Sequence, residues 1–285
     1  MATIFGPVQA EPLEGKLSGG EILAATTRDD WRALDPEMTL YVQLESGRVV
    51  IALSPILAQV HVANIKKLAR ARFYDGLSFY RVIDGFVAQG GDVLETRGPE
   101  QQMLAAEFDE PAPEGFIFYE WKDADGYAAQ TGFAGGLPLG FDRKSKRAWH
   151  LHCTGAVAMA REDAPDTAST EFYVALQPQR YLDRNLTVFG RVVDGMQYVQ
   201  ALRRVQPAAE PKPSDDLGER IISIKVAADV PAADRTALEA LDSGRPAFDA
   251  FVEARRNRPE AFFSFRPNYI DICQFPVPVR PAVAQ

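Results

Sequence analysis

The chain is short of histidine, cysteine and positive charge, and it has no long apolar run. Three histidines in 285 residues leave little material for a metal centre. His61 stands alone, and His150 and His152 in "WHLHC" share a strand face at i, i+2 with no third ligand at suggestive spacing. No metal and no other cofactor is therefore expected. Two cysteines, Cys153 in "HLHCTGAV" and Cys273 in "IDICQF", lack C-x-x-C spacing, which argues against structural zinc. They leave two readings open. Either both are buried thiols acting as small hydrophobes, or they form one disulfide that ties the C-terminal tail to the strand region and implies an oxidising compartment. With 39 acids against 31 bases the net charge is −8, so no nucleic-acid partner is expected. No stretch approaches the roughly 18–20 apolar residues that cross a bilayer, and "MATIFGPVQAEPLEG" lacks the basic and apolar regions of a leader. A G-x-S-x-G elbow, a Walker loop and a G-x-G-x-x-G opening a helix are missing as well.

What is present is ordinary globular material, 46% hydrophobic and 25% charged. Residues 1–36 mix Gly, Pro and charge without sustained periodicity and suggest an arm. "TLYVQLESGRVVIALSP" puts Leu40, Val42 and Leu44 on one face and resumes with Val49, Ile51 and Leu53, the pattern of a β-hairpin. "ILAQVHVANIKKLARA" places Ile56, Val60, Ile65 and Leu68 near helical spacing, with cations toward its end. Residues 94–154 form a long insertion rich in Gly and aromatics, in which "FAGGLPLG" is expected to be a loop; segments this long are functional or carry short elements of their own. Short strands then follow in "TGAVAMAR", "TEFYVAL" and "LTVFGRVV". A helix, "GMQYVQALRRV", is expected after Asp194 as N-cap, and "ERIISIKVA" is a last strand. From 231 to 285 the chain is an extension with one helix around "PAFDAFVEARR", where Phe248, Phe251 and Val252 make an apolar stripe. Many short strands and two helices point to a mainly β protein, a barrel or sandwich closed by helices.

One stretch resists a purely structural account. "FYRVIDGFVAQGGD" sets Arg81 and Gln89 in what is otherwise a buried strand pattern, where an unpartnered charge is costly. Taken with "GAVAMAREDAPDTASTEFYVAL" and "YLDRNLTVFGRVVDG", it resembles the ordered motifs of the cyclophilin-type peptidyl-prolyl cis-trans isomerases over about Thr39 to Ala228. The resemblance implies an eight-stranded antiparallel β-barrel capped by two helices, spanning 37–230, with a proline pocket on its outer face and the 231–285 extension packed on the barrel.

Residue by residue, the resemblance puts Arg81 on the catalytic arginine and Gln89 on the glutamine that helps hold it. It puts Phe86 and Val87 on the pocket phenylalanine and its methionine neighbour. Ala160 and Arg161 match an alanine–asparagine pair whose backbone holds the peptide, and Glu171 and Tyr173 match a glutamine and a pocket phenylalanine. Tyr181, Leu182 and Leu186 match the tryptophan, leucine and histidine of floor and rim. Tyr80 replaces a histidine and is expected on the opposite strand face. Glu171 brings a carboxylate that either pairs with Arg81 or lies too far away to matter.

The implied activity is rotation of X-Pro bonds in proline-containing polypeptides, assisting protein folding. The alternative is a proline-binding chaperone or scaffold with little turnover, favoured by Leu186 and Glu171. A monomer is the favoured state. The periplasm is the favoured location, on the two cysteines, with the cytoplasm as the alternative.

Overall fold

The computed structural model describes residues 16–97 and 102–282. Its centre is an antiparallel sheet of Thr39–Gln43 (β1), Arg48–Leu53 (β2), Ser78–Val82 (β3), Val87–Gly91 (β4), Ala156–Met159 (β5), Phe172–Ala175 (β6), Val188–Asp194 (β7) and Ser223–Val226 (β8). The strands pair in the order β3, β4, β6, β5, β7, β2, β1, β8. Just before β8, Glu219–Arg220 pairs with β3 at the far edge, while β8 itself pairs with β1. At the crossover, Ile221 donates to the Leu77 carbonyl and Ile222 to that of Gln43. One segment therefore bonds both edges, and the sheet curls round to meet it, leaving fewer unpaired edge groups.

The helices are Gly19–Ala25 (α1), Gln59–Arg70 (α2), Met196–Ala201 (α3) and Pro246–Asn257 (α4). Leu40, Val42, Leu44, Val49, Ile51 and Leu53 all face the barrel core, as their alternation requires. There they meet Val62, Ile65, Leu68 and Ala69 of α2, and Val199 of α3. The α2 stripe differs from the spacing read in the sequence. Ala58, in the left-handed region, caps the helix, Ile56 lies before it, and Val60 turns outward at 49% exposure. Asp194 is likewise not the cap of α3: it ends β7, and Gly195 takes the turn at φ +81°. A Cβ there would meet the Arg48 carbonyl at 2.4 Å, so glycine is required.

The 94–154 insertion carries a sheet of its own, with Glu110–Pro111, Arg147–His150, Leu137–Asp142, Gln130–Ala134 and Tyr119–Glu120 in that order. "FAGGLPLG" is a hairpin, not a loop: Gly135 and Gly136 both have positive φ, the two-residue turn whose twist suits the strands on either side. A third sheet joins Trp31–Ala33, Leu238–Leu241 and Val279–Pro281, tying the N-terminal segment to the tail.

The insertion and tail share a second core in which Phe133, Phe248 and Phe275 meet edge to face at 5.4–5.6 Å between ring centres. Such contacts add about 0.5–1.5 kcal/mol each beyond area burial. The α4 stripe Phe248, Phe251 and Val252 is buried here, against the inserted sheet. Cys153 and Cys273 are bridged in the same core, closing a span of 120 residues between the end of the insertion and the tail. The insertion also grips α2: Glu107 accepts from the Val60 and His61 amides at 3.0 Å and contacts His61 Nδ1 at 2.6 Å. Those amides are donors that a helix start leaves without intrahelical partners.

Candidate active site

β3 and β4 pair with Arg81 opposite Gln89, but Ser78 lies opposite Gly91. Three steps on one strand match two on the other, so β3 carries a bulge between Ser78 and Arg81. A bulge re-aims side chains, and here it brings Tyr80 and Arg81 to the same partner. Arg81 Nη1 donates to Gln89 Oε1 at 3.2 Å, and Gln89 Nε2 donates to the Tyr80 hydroxyl at 2.5 Å. The opposite-face placement expected of Tyr80 is thus wrong, because strict alternation fails at the bulge. The Arg81 guanidinium also sits 5.6 Å from the Phe86 ring centre. A guanidinium has five N–H donors, and this arrangement leaves most of them free.

Beside Arg81 lies a small apolar cluster separate from the barrel core. Val87, Ala156, Ala158, Tyr173, Ala175 and Val188 are buried, with Phe86, Ala160 and Leu186 packed against them at the surface. Of the residues singled out in the sequence, the structure brings together Arg81, Gln89, Phe86, Val87, Ala160, Tyr173 and Leu186. Leu182 and Tyr181 lie apart from this cluster on the 3-10 turn Arg180–Leu182, with Tyr181 57% exposed. Arg161 braces the rim, donating to the carbonyls of Asn185, Glu162 and Asp163.

The floor has support that the sequence did not reveal. His152 is fully buried; its Nε2 meets the Tyr173 hydroxyl at 2.9 Å, and its Nδ1 lies 3.1 Å from Asp183. Asp183 in turn accepts from Arg180 Nε at 2.6 Å, and Arg180 forms a two-bond pair with Asp125 of the insertion at 2.6 and 2.9 Å. Both side chains of the Arg180–Asp125 pair are less than a tenth exposed, so it holds the insertion against the pocket wall in a low-dielectric setting. His150 does not share this role: its Nε2 meets Ser54 at 2.7 Å, and burial lowers it to about 4, keeping it neutral.

Glu171 does not reach Arg81. Its Oε1 accepts the Asp92 amide at 2.6 Å, while Oε2 is sealed from solvent without a hydrogen-bond partner. Burial pushes its carboxyl up to about 7, and the charge of Asp92 adds to the push. It lines a cavity of about 410 Å³ next to Tyr80 and Gln89, whose walls also carry Asp92, Glu95, Glu162 and Arg161. This polar, acidic cavity borders the apolar cluster at Ala160.

A guanidinium held in place beside an apolar cluster suits stabilisation of a small polar group within an apolar ligand. The family model described as cyclophilin type peptidyl-prolyl cis-trans isomerase/CLD matches residues 39–226. The chain belongs to the cyclophilin family. It is 33% identical over 176 residues to a probable peptidyl-prolyl cis-trans isomerase of Brucella suis, covering 60% of this chain and 74% of that protein. Peptidyl-prolyl cis-trans isomerase B of Bacillus subtilis is 32% identical over 163 residues, 57% of this chain and 88% of that one. In structure the chain resembles the cyclophilin AquaCyp293 from Hirschia baltica, with a TM-score of 0.73 and 26% identity over 95% of this chain and 99% of the other. That likeness extends past the barrel into the insertion and tail of this cyclophilin. Its activity class is peptidyl-prolyl isomerisation.

Proposed function

We propose that Arg81 is the catalytic group of this isomerase, and that Phe86, Val87, Ala160, Tyr173 and Leu186 seat the prolyl ring of a polypeptide, with Leu182 and Tyr181 at the outer rim. The observation that carries the assignment is the Arg81–Gln89 hydrogen bond at 3.2 Å beside the apolar cluster. Amide rotation faces a barrier of ~18–20 kcal/mol because resonance gives the C–N bond double-bond character. A donor that stabilises the localised nitrogen lone pair of the twisted state lowers that barrier. Arg81 stays charged, and a dry surround strengthens its effect. Gln89 and Tyr80 restrict its rotamers, so less ordering remains to be done in the transition state. Arg161 and Glu171, on the acidic side, would contact the peptide flanking the proline.

The alternative, a proline binder with little turnover, drew on Leu186 at the rim and on Glu171 restraining Arg81. A Glu171 carboxyl turned to the Asp92 amide leaves the arginine free and favours the catalyst. The test is exchange spectroscopy on an X-Pro peptide: catalytic amounts of protein should broaden and merge the cis and trans resonances. Saturable binding without any gain in exchange rate would identify a binder instead. By the same chemistry the protein would shorten refolding phases that wait on an X-Pro bond, which otherwise last tens to hundreds of seconds. The Cys153–Cys273 bridge supports an oxidising compartment such as a bacterial periplasm as its place of work.

A further inference from the structure

On the outer face of the barrel, the face that also carries Ala156 of the apolar cluster, β7 presents Arg191 between Ala156 of β5 and Ala52 of β2. Its Nε is sealed from solvent without a hydrogen-bond partner, and none of the ion pairs among the described residues includes it. Arg180 shows the usual solution for a buried guanidinium, with Asp125 and Asp183 both on it. Arg191 has none, in a chain whose net charge is −8. Burial alone lowers it to about 10, so it remains cationic at neutral pH. The residue as a whole is only partly buried, but a guanidinium drawn part-way out of water with no counter-charge on it is a favourable partner for an anion.

Arg191 lines a cavity of about 170 Å³ where the barrel, the Gly135–Gly136 turn, the N-terminal segment and the tail meet. Among the described residues no carboxylate lines this cavity. Arg32, exposed at its mouth, supplies a second guanidinium and uses one N–H on the Gly135 carbonyl at 2.7 Å. The other walls include Leu34, Leu137, Val277 and Val279. The space is well below the roughly 300–1,000 Å³ of drug-sized sites, so it suits a compact molecule.

We propose that this cavity binds a small aliphatic carboxylate, with its headgroup on Arg191, its body against Leu34, Leu137, Val277 and Val279, and Arg32 at the entrance. A guanidinium fork matches a carboxylate with two parallel hydrogen bonds, and the apolar walls match a short branched chain. Because four parts of the chain meet there, the ligand would hold them together and raise the unfolding temperature by mass action.

The test is thermal unfolding of the full chain titrated with sodium isobutyrate at ionic strength held constant with sodium chloride. The neutral isostere isobutyramide and inorganic phosphate serve as comparisons. The expected result is a saturable rise in Tm with isobutyrate and none with isobutyramide. In Arg191→Met the affinity should fall by about tenfold or more, while the ligand-free Tm stays level or rises. Arg32→Gln should weaken binding by a smaller factor. A direct readout is the Arg191 Nε–H resonance, which should move with isobutyrate along the same binding curve. The proposal is overturned by no saturable rise, by an equal rise in Arg191→Met, by phosphate binding more tightly than isobutyrate, or by an unmoved Arg191 resonance.

Discussion

At the scale of single residues, the site depends on how one strand departs from regular alternation. Arg81 and Gln89 were legible because a charge and an amide interrupt a hydrophobic run, but Tyr80 was not. Alternation assigns Tyr80 to the other face, and only the bulge between Ser78 and Arg81 brings its hydroxyl to Gln89. We infer that Tyr80 is a positioning residue: Tyr80→Phe should lower kcat/KM about 2–10-fold, with KM and Tm nearly unchanged. A loss confined to Tm would show a structural role only. Glu171 gives a second prediction. Its carboxyl is raised from 4.5 to about 7, so between those values the folded protein keeps a proton that the unfolded chain has lost. The stabilisation is fully present below about 4.5 and is lost as the pH rises through about 7. Glu171→Gln removes this dependence. The variant should match the parent near pH 4 and exceed it in unfolding free energy at pH 8 by on the order of 2–3 kcal/mol. A constant difference across pH, measured by denaturant unfolding, would contradict the assignment.

At the scale of elements, the barrel strands were readable and the additions around them were not. The β1–β2 hairpin announces itself through clean alternation and Pro55. The inserted sheet is built from strands of two to six residues broken by Gly and Pro, too short for periodicity to register. Two local signals were nonetheless present. Gly135-Gly136 is a hairpin turn by composition, and Ser18 with Glu21 forms a capping box at α1, with Glu21 Oε2 2.7 Å from the Ser18 amide. What no local pattern shows is that insertion and tail complete one another's core. The Cys153–Cys273 bridge links them across 120 residues. Thiol titration of the unreduced native protein should therefore find no free cysteine, and the Cys153→Ser, Cys273→Ser double variant should lose about 2–5 kcal/mol of stability. Two titratable thiols would remove both the bridge and the case for an oxidising compartment.

At the scale of the whole molecule, barrel and insertion both support the apolar cluster beside Arg81. The barrel supplies the strands that place Arg81, Gln89 and Tyr173, and the insertion reaches the floor through Asp125, Arg180, Asp183 and His152. The family was readable from three ordered motifs, whereas this buttress was not, since Asp125 and His152 lie far in sequence from the Arg180–Asp183 turn, and His152 was weighed only as a metal ligand beside His150. The central claim is that Arg81, held beside the apolar seat, does the catalysis. It is tested most directly by measuring cis-to-trans conversion of an X-Pro peptide with the parent and with Arg81→Ala, after circular dichroism has shown both to be folded. The account predicts rapid conversion by the parent and a loss of about 10²–10³-fold in kcat/KM for the variant; equal rates for the two proteins would contradict it.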